Sequence, residues 1–131
     1  MAVLPHGKKI HFEKEMIPKE VKNWINGKEI QSKSGEIFEK ISPHSGETIC
    51  KVTRSTKIDI DNAVAEAKQA QIGWENLPAV QRGHLLHQIC NALESQTEKI
   101  ASIVALETGK SQQEALGETG GAIALGRFYA G

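Results

Sequence analysis

The chain has 131 residues, 39% hydrophobic and 24% charged, and its 16 basic side chains are matched by 16 acidic ones for a formal net charge of zero. Without an excess of Lys and Arg there is no long-range field to gather phosphates, so the balance speaks against nucleic acid or an anionic membrane as partner, and no local basic patch is visible. Roughly two-thirds of the unfolded surface can be buried at this length, enough for one domain and too little for two.

No apolar run approaches the ~20 residues that a membrane-spanning helix needs. The N-terminus offers only Ala2, Val3 and Leu4 where a secretory signal would carry an apolar stretch. Cys50 and Cys90 have no framework spacing around them, so free thiols in a reducing compartment, and hence a cytoplasmic location, are expected.

Residues 1–22 mix Lys and Glu around scattered apolar residues without a sustained period and read as an N-terminal extension. Trp24-Ile25 and Glu29-Ile30 then flank Asn26-Gly27, the dipeptide that accepts positive φ at both centres of a type I′ turn, which predicts a β-hairpin. A second hairpin follows. Ile37 to Ile41 and Thr48 to Val52 are β-branched runs separated by the breakers from Pro43 to Gly46. Near Ser55 the pattern changes to helical.

Thr56 with Asp59 forms a capping-box-like start to a first helix, in which Ile60, Val64, Ala67, Gln71 and Trp74 recur at helical spacing and which ends near Gly73. Pro78 is placed in the first turn of the second helix, where Leu85, Leu86, Ile89, Ala92 and Leu93 make one apolar stripe opposite His84, His87 and Asn91. The third helix is expected over Thr97 to Thr108 with Gly109 as its stop. Ser111 and Glu114 form another capping box for a last helix that runs to the end. Ala115, Thr119, Ala122 and Gly126 draw a line of small side chains along it that wants a close partner. The closing Phe128-Tyr129-Ala130-Gly131 has nothing after it to pack under, which reads as a sign of truncation. The expected fold class is thus an α+β segment, two small β-hairpins followed by four helices.

Each candidate for chemistry has a plainer reading. Gly109-Lys110-Ser111 lacks the earlier glycine and preceding strand of a phosphate loop, because Val104 stands where that glycine belongs and a helix comes before it. Gly117, Gly120 and Gly121 have the wrong spacing for a dinucleotide fingerprint and read as close helix packing. His84, His87 and Cys90 recur every third residue and might share a metal ion, but both histidines are expected on the solvent side with Cys90 at the margin of the apolar stripe. Glu107 shares a face with Ile100, Ile103 and Val104 near a helix C-terminus, where the helix dipole disfavours a negative charge. A compensating group is expected: a basic side chain or backbone N–H in preference to a bound monovalent cation.

The ordered set Asn23-Trp24-Ile25-Asn26-Gly27, Ile41-Ser42-Pro43-His44-Ser45-Gly46-Glu47, Asp61-Asn62-Ala63-Val64-Ala65-Glu66-Ala67 with Trp74, Gln81-Arg82, Leu106-Glu107-Thr108-Gly109-Lys110 and Arg127-Phe128-Tyr129-Ala130-Gly131 resembles the opening of the NAD(P)-dependent aldehyde dehydrogenase family. Residues before Val21 lie outside the resemblance. It implies that residues 23–131 are the leading part of an aldehyde-dehydrogenase-like α/β fold, ahead of a Rossmann-like cofactor domain, a catalytic domain and an oligomerisation hairpin. The activity it implies is oxidation of an aldehyde to a carboxylic acid. A cysteine thiolate attacks the carbonyl, hydride passes to NAD or NADP, and a glutamate activates the water that cleaves the thioester. The family's Gly-Gln-x-Cys and Glu-Leu-Gly-Gly-Lys contexts do not occur here, nor does its aromatic-Asn-Phe-Pro cofactor loop. The expectation is therefore no catalytic, cofactor-binding or metal residue in this chain, and no activity by itself. Some relatives bind a structural cation through the residue matching Glu107 and a backbone carbonyl near Ile41. An aldehyde substrate and a homo-oligomer are implied only for the complete enzyme. The rival expectation is a freestanding helical protein-interaction module using the small-residue seam.

Overall fold

The computed structural model describes residues 16–131. Strands β1 (Glu20–Val21), β2 (Asn23–Ile25), β3 (Lys28–Ile30), β4 (Ile37–Ile41) and β5 (Thr48–Thr53) precede helices α1 (Lys57–Glu75), α2 (Ala79–Glu94), α3 (Thr97–Thr108) and α4 (Gln112–Ala130). Both expected hairpins are present. β2 and β3 pair antiparallel with Trp24 opposite Glu29, and the turn between them has positive φ at Asn26 and Gly27, as a type I′ turn requires. β4 and β5 pair antiparallel, with Lys40 opposite Cys50 and a register shift between Lys40 and Ile41. Their turn is closed by Ser42 N–H donating to the Glu47 carbonyl and Gly46 N–H to the Ser42 carbonyl, each at 2.9 Å.

One strand was not foreseen. Glu20 and Val21 lie inside the stretch expected to be an extension, yet they pair in parallel with Lys51 and Val52, giving a three-stranded sheet in the order β1-β5-β4. Two residues carry no period, so no sequence pattern announces such a strand.

The helices begin and end where local chemistry directs. In α1 the Thr56 backbone N–H donates to Asp59 Oδ2 at 2.7 Å, the returning half of a capping box. Gly73 lies inside this helix, which continues to Glu75 with Asn76 as its C-cap, correcting the expected end. Pro78 is the N-cap of α2 and not a first-turn residue, and Arg82 donates to the Leu77 and Glu75 carbonyls to tie the turn between α1 and α2. α3 has the expected bounds, and Gly109 caps it in the left-handed region at φ 78°, its N–H donating to the Ala105 carbonyl at 2.9 Å. Ser111 Oγ accepts from the Glu114 N–H at 3.2 Å while Ser111 N–H donates to Glu114 Oε2 at 3.1 Å, a complete capping box for α4.

α4 lies against both α2 and α3, and most of the buried residues of these helices are small, Ile123 of α4 excepted. Ala101 and Ala105 of α3 pack with Ala115 of α4, flanked by Val104 and Leu116. Cys90 of α2 is the largest fully buried side chain among the described residues. It meets α4 at Gly126, where an ideal Cβ would stand 2.7 Å from its sulfur, and at Gly83 a Cβ would stand 2.3 Å from the Ala130 carbonyl oxygen. These two glycines let the backbones approach. Arg127 adds a polar clamp, donating to both Glu94 carboxylate oxygens at 2.9 and 2.8 Å and to Asn91 Oδ1 at 2.9 Å.

The α2 face expected in the core is largely turned outward. Leu85, Ile89 and Leu93 are 39%, 54% and 43% exposed, whereas Cys90 is 2% exposed. The physical reason is the close crossing: a helix brought near by Gly126 and Ala130 has room for Gly83 and Cys90 but not for a row of leucines. α1 behaves similarly, with Ile60, Val64 and Trp74 exposed and Asp59 as its one buried residue.

Candidate functional site

Three places among the described residues carry the side chains weighed for chemistry, and each is explained by its immediate surroundings. The first lies where the β4–β5 hairpin meets the end of α3. Glu107 is half-exposed there, not buried, and its Oε1 lies 3.2 Å from Lys40 Nζ. The compensating group expected for Glu107 is thus a basic side chain, supplied from a strand distant in sequence. Its ammonium stands beside the carboxylate that the cation reading would have used, one residue before Ile41. Pro43 closes the same corner, its Cγ 3.1 Å from where a Gly109 Cβ would be. Cys50, across from Lys40 in the sheet, is buried. Burial pushes its thiol pKa up, Glu107 adds to the rise and Lys40 opposes it. A thiol held in its neutral form is a poor nucleophile.

The second is the row on α2. His84 is exposed and accepts a hydrogen bond from Gln88 Nε2 at 3.1 Å, His87 is half-buried, and Cys90 faces α4. The expectation that Cys90 sits at the margin of the apolar stripe is corrected, since it is the centre of the buried contact. Among the described residues no group of three or more His, Cys, Asp or Glu side chains comes together as a metal site.

The third is Asp59. Its Oδ2 accepts from Ser32 Oγ at 2.6 Å, from the Thr56 N–H at 2.7 Å and from Thr56 Oγ1 at 2.7 Å, and the residue is buried. The Ser32 hydroxyl, then the Thr56 backbone and side chain, hold this carboxyl well below the usual carboxylate range. Sequence reading saw the cap but not Ser32, which reaches it from the loop after β3. The cluster is a clasp joining α1 to the strands, with three donors gathered on Oδ2.

Neither glycine-bearing stretch weighed for a nucleotide phosphate forms a strand-to-helix turn. Gly117, Gly120 and Gly121 lie in the interior of α4 rather than in a strand-to-helix turn. The first turn of α4, which follows Gly109-Lys110-Ser111, is closed by its own capping box, and Lys110 pairs with Glu118. One concavity, of about 440 Å³, is open and apolar, lined by Leu77, Val80, Gln81, His84 and Leu85. A second, of about 250 Å³, lies between the β2–β3 hairpin and α1. The first has little polar lining, whereas the second brings Gln31, Lys33, Asp59, Asn62 and Glu66 to its wall beside Ile25, Ile30 and Ala65.

Small strands followed by a helical layer in this arrangement match the leading part of larger α/β enzymes of known structure. An aldehyde dehydrogenase from Bacillus cereus superposes with a TM-score of 0.81 at 30% identity, over 85% of this chain and 23% of its own. Staphylococcus aureus betaine aldehyde dehydrogenase in complex with NAD+ superposes with a TM-score of 0.83 over 89% of this chain and 24% of its own, a likeness of fold alone at 23% identity. In sequence the chain is 34% identical over 113 residues to malonate-semialdehyde dehydrogenase of Bacillus subtilis, covering 86% of this chain and 23% of that protein. It is 36% identical over 110 residues to α-ketoglutaric semialdehyde dehydrogenase of the same species, covering 83% of this chain and 22% of that protein. The model of the aldehyde dehydrogenase family matches residues 30–131, and the chain belongs to that family. It spans less than a quarter of the length of these relatives. No described helix is long and apolar enough to cross a membrane.

Proposed function

We propose that this chain is the leading scaffold of an NAD(P)-dependent aldehyde dehydrogenase, and that by itself it catalyses nothing. The observation that carries the reading is the family match over residues 30–131 in a chain that spans about 23% of the relatives it resembles. Residues 1–22 precede the enzyme domain in this reading, and residues 23–131 are its leading part. No residue here is assigned to catalysis, cofactor binding or metal binding. Cys50 and Cys90 are both buried, and of the α4 glycines Gly126 alone meets another helix: a Cβ at Gly117, Gly120 or Gly121 would touch nothing within 4 Å, which corrects the expectation of close helix packing there.

What the segment contributes is rigidity: a capped helical layer held together by the α2–α4 and α3–α4 contacts and joined to the strands by the Asp59 clasp and the Lys40–Glu107 pair. The complete enzyme is expected to use NAD or NADP to oxidise an aldehyde through a cysteine thiohemiacetal and thioester, as a homo-oligomer in the cytoplasm, without nucleic acid or membrane partners. Two free cysteines fit a reducing compartment. The semialdehydes named for the Bacillus relatives are the first substrates to try.

The test has two arms. The purified 131-residue chain, given semialdehydes with NAD+ or NADP+, should form no reduced nicotinamide above a buffer control; turnover would overturn the inactivity claim. The coding frame read past Gly131 should continue into Gly-Gln-x-Cys and Glu-Leu-Gly-Gly-Lys contexts. A stop codon there, together with a monodisperse chain that melts cooperatively, would favour the freestanding interaction module instead.

A further inference from the structure

We draw no further inference here: the strongest candidate, the exposed apolar stripe of α2 formed by Val80, Leu85, Ile89 and Leu93 beside the open concavity at Leu77 and His84, has nothing in the structure to show what covers it.

Discussion

The crossing of α2 and α4 can be tested by filling it. A Cβ on Gly126 would lie 2.7 Å from the Cys90 sulfur, whereas non-bonded heavy atoms rest at about 3.5–4.0 Å. Gly126→Ala must therefore spread the helices by on the order of 1 Å or force Cys90 from its rotamer, and such overpacking costs ~1–3 kcal/mol. The same replacement relieves the penalty of glycine in a helix interior, a gain of about 0.5–1 kcal/mol, so a net loss of roughly 1–2 kcal/mol is expected. Gly120→Ala is the control. Nothing lies within 4 Å of a Cβ at Gly120, so that change should give only the helix gain of about 0.5–1 kcal/mol.

Cys90→Ala removes one buried heavy atom and should cost about 1 kcal/mol alone. Combined with Gly126→Ala it vacates the space that the new methyl group needs. The double variant should thus be more stable than the sum of the single effects by about 1 kcal/mol or more. Urea unfolding followed by far-ultraviolet circular dichroism gives each value by linear extrapolation. Additivity within about 0.5 kcal/mol would show that the two positions do not touch and would refute the close crossing.

Gly83→Ala should be worse than Gly126→Ala and should not be rescued by Cys90→Ala, because its Cβ would stand 2.3 Å from the Ala130 carbonyl oxygen, a backbone atom that no side-chain trimming removes; a loss of about 2 kcal/mol or more in the same urea assay checks this. Gly109→Ala should lose about 1–2 kcal/mol, since the position has φ 78° and its Cβ would meet Pro43, whereas Gly109→Asn should lose less because Asn tolerates the left-handed region. Asp59 links folding to pH. Its folded pKa is depressed, so its contribution is fully present above its unfolded value near 3.9 and is lost as pH falls through the folded one. Urea midpoints measured downward from pH 5 should therefore fall less steeply for Asp59→Asn than for the unsubstituted chain; equal slopes would refute the clasp.

The capped ends of the elements were legible in the sequence because they are set by neighbours in the chain. Asn26-Gly27 places positive φ where a two-residue turn needs it, Ser111 and Glu114 satisfy the amides of α4, and Gly109 ends α3 in the one backbone region that most residues avoid. The candidate site was legible only in part. The need of Glu107 for a partner follows from its place on α3, but Lys40 reaches it through a hairpin whose docking no spacing encodes. Ser32 was hidden from the reading of Asp59 for the same reason, since a hydroxyl in a loop carries no mark of the helix it will meet.

By itself the sequence determined the two hairpins, the order of the helices and most of their ends, all consequences of local hydrogen bonding and backbone preference, while its ordered motifs carried the family resemblance. Tertiary structure alone decided which faces are buried. Apolar periodicity pointed Leu85, Ile89 and Leu93 inward, yet Gly83 and Cys90 occupy the contact because a helix pair that nearly touches admits only small groups. It also decided the parallel pairing of Glu20 and Val21 with β5, a contact whose hydrogen bonds form only once distant parts of the chain have met.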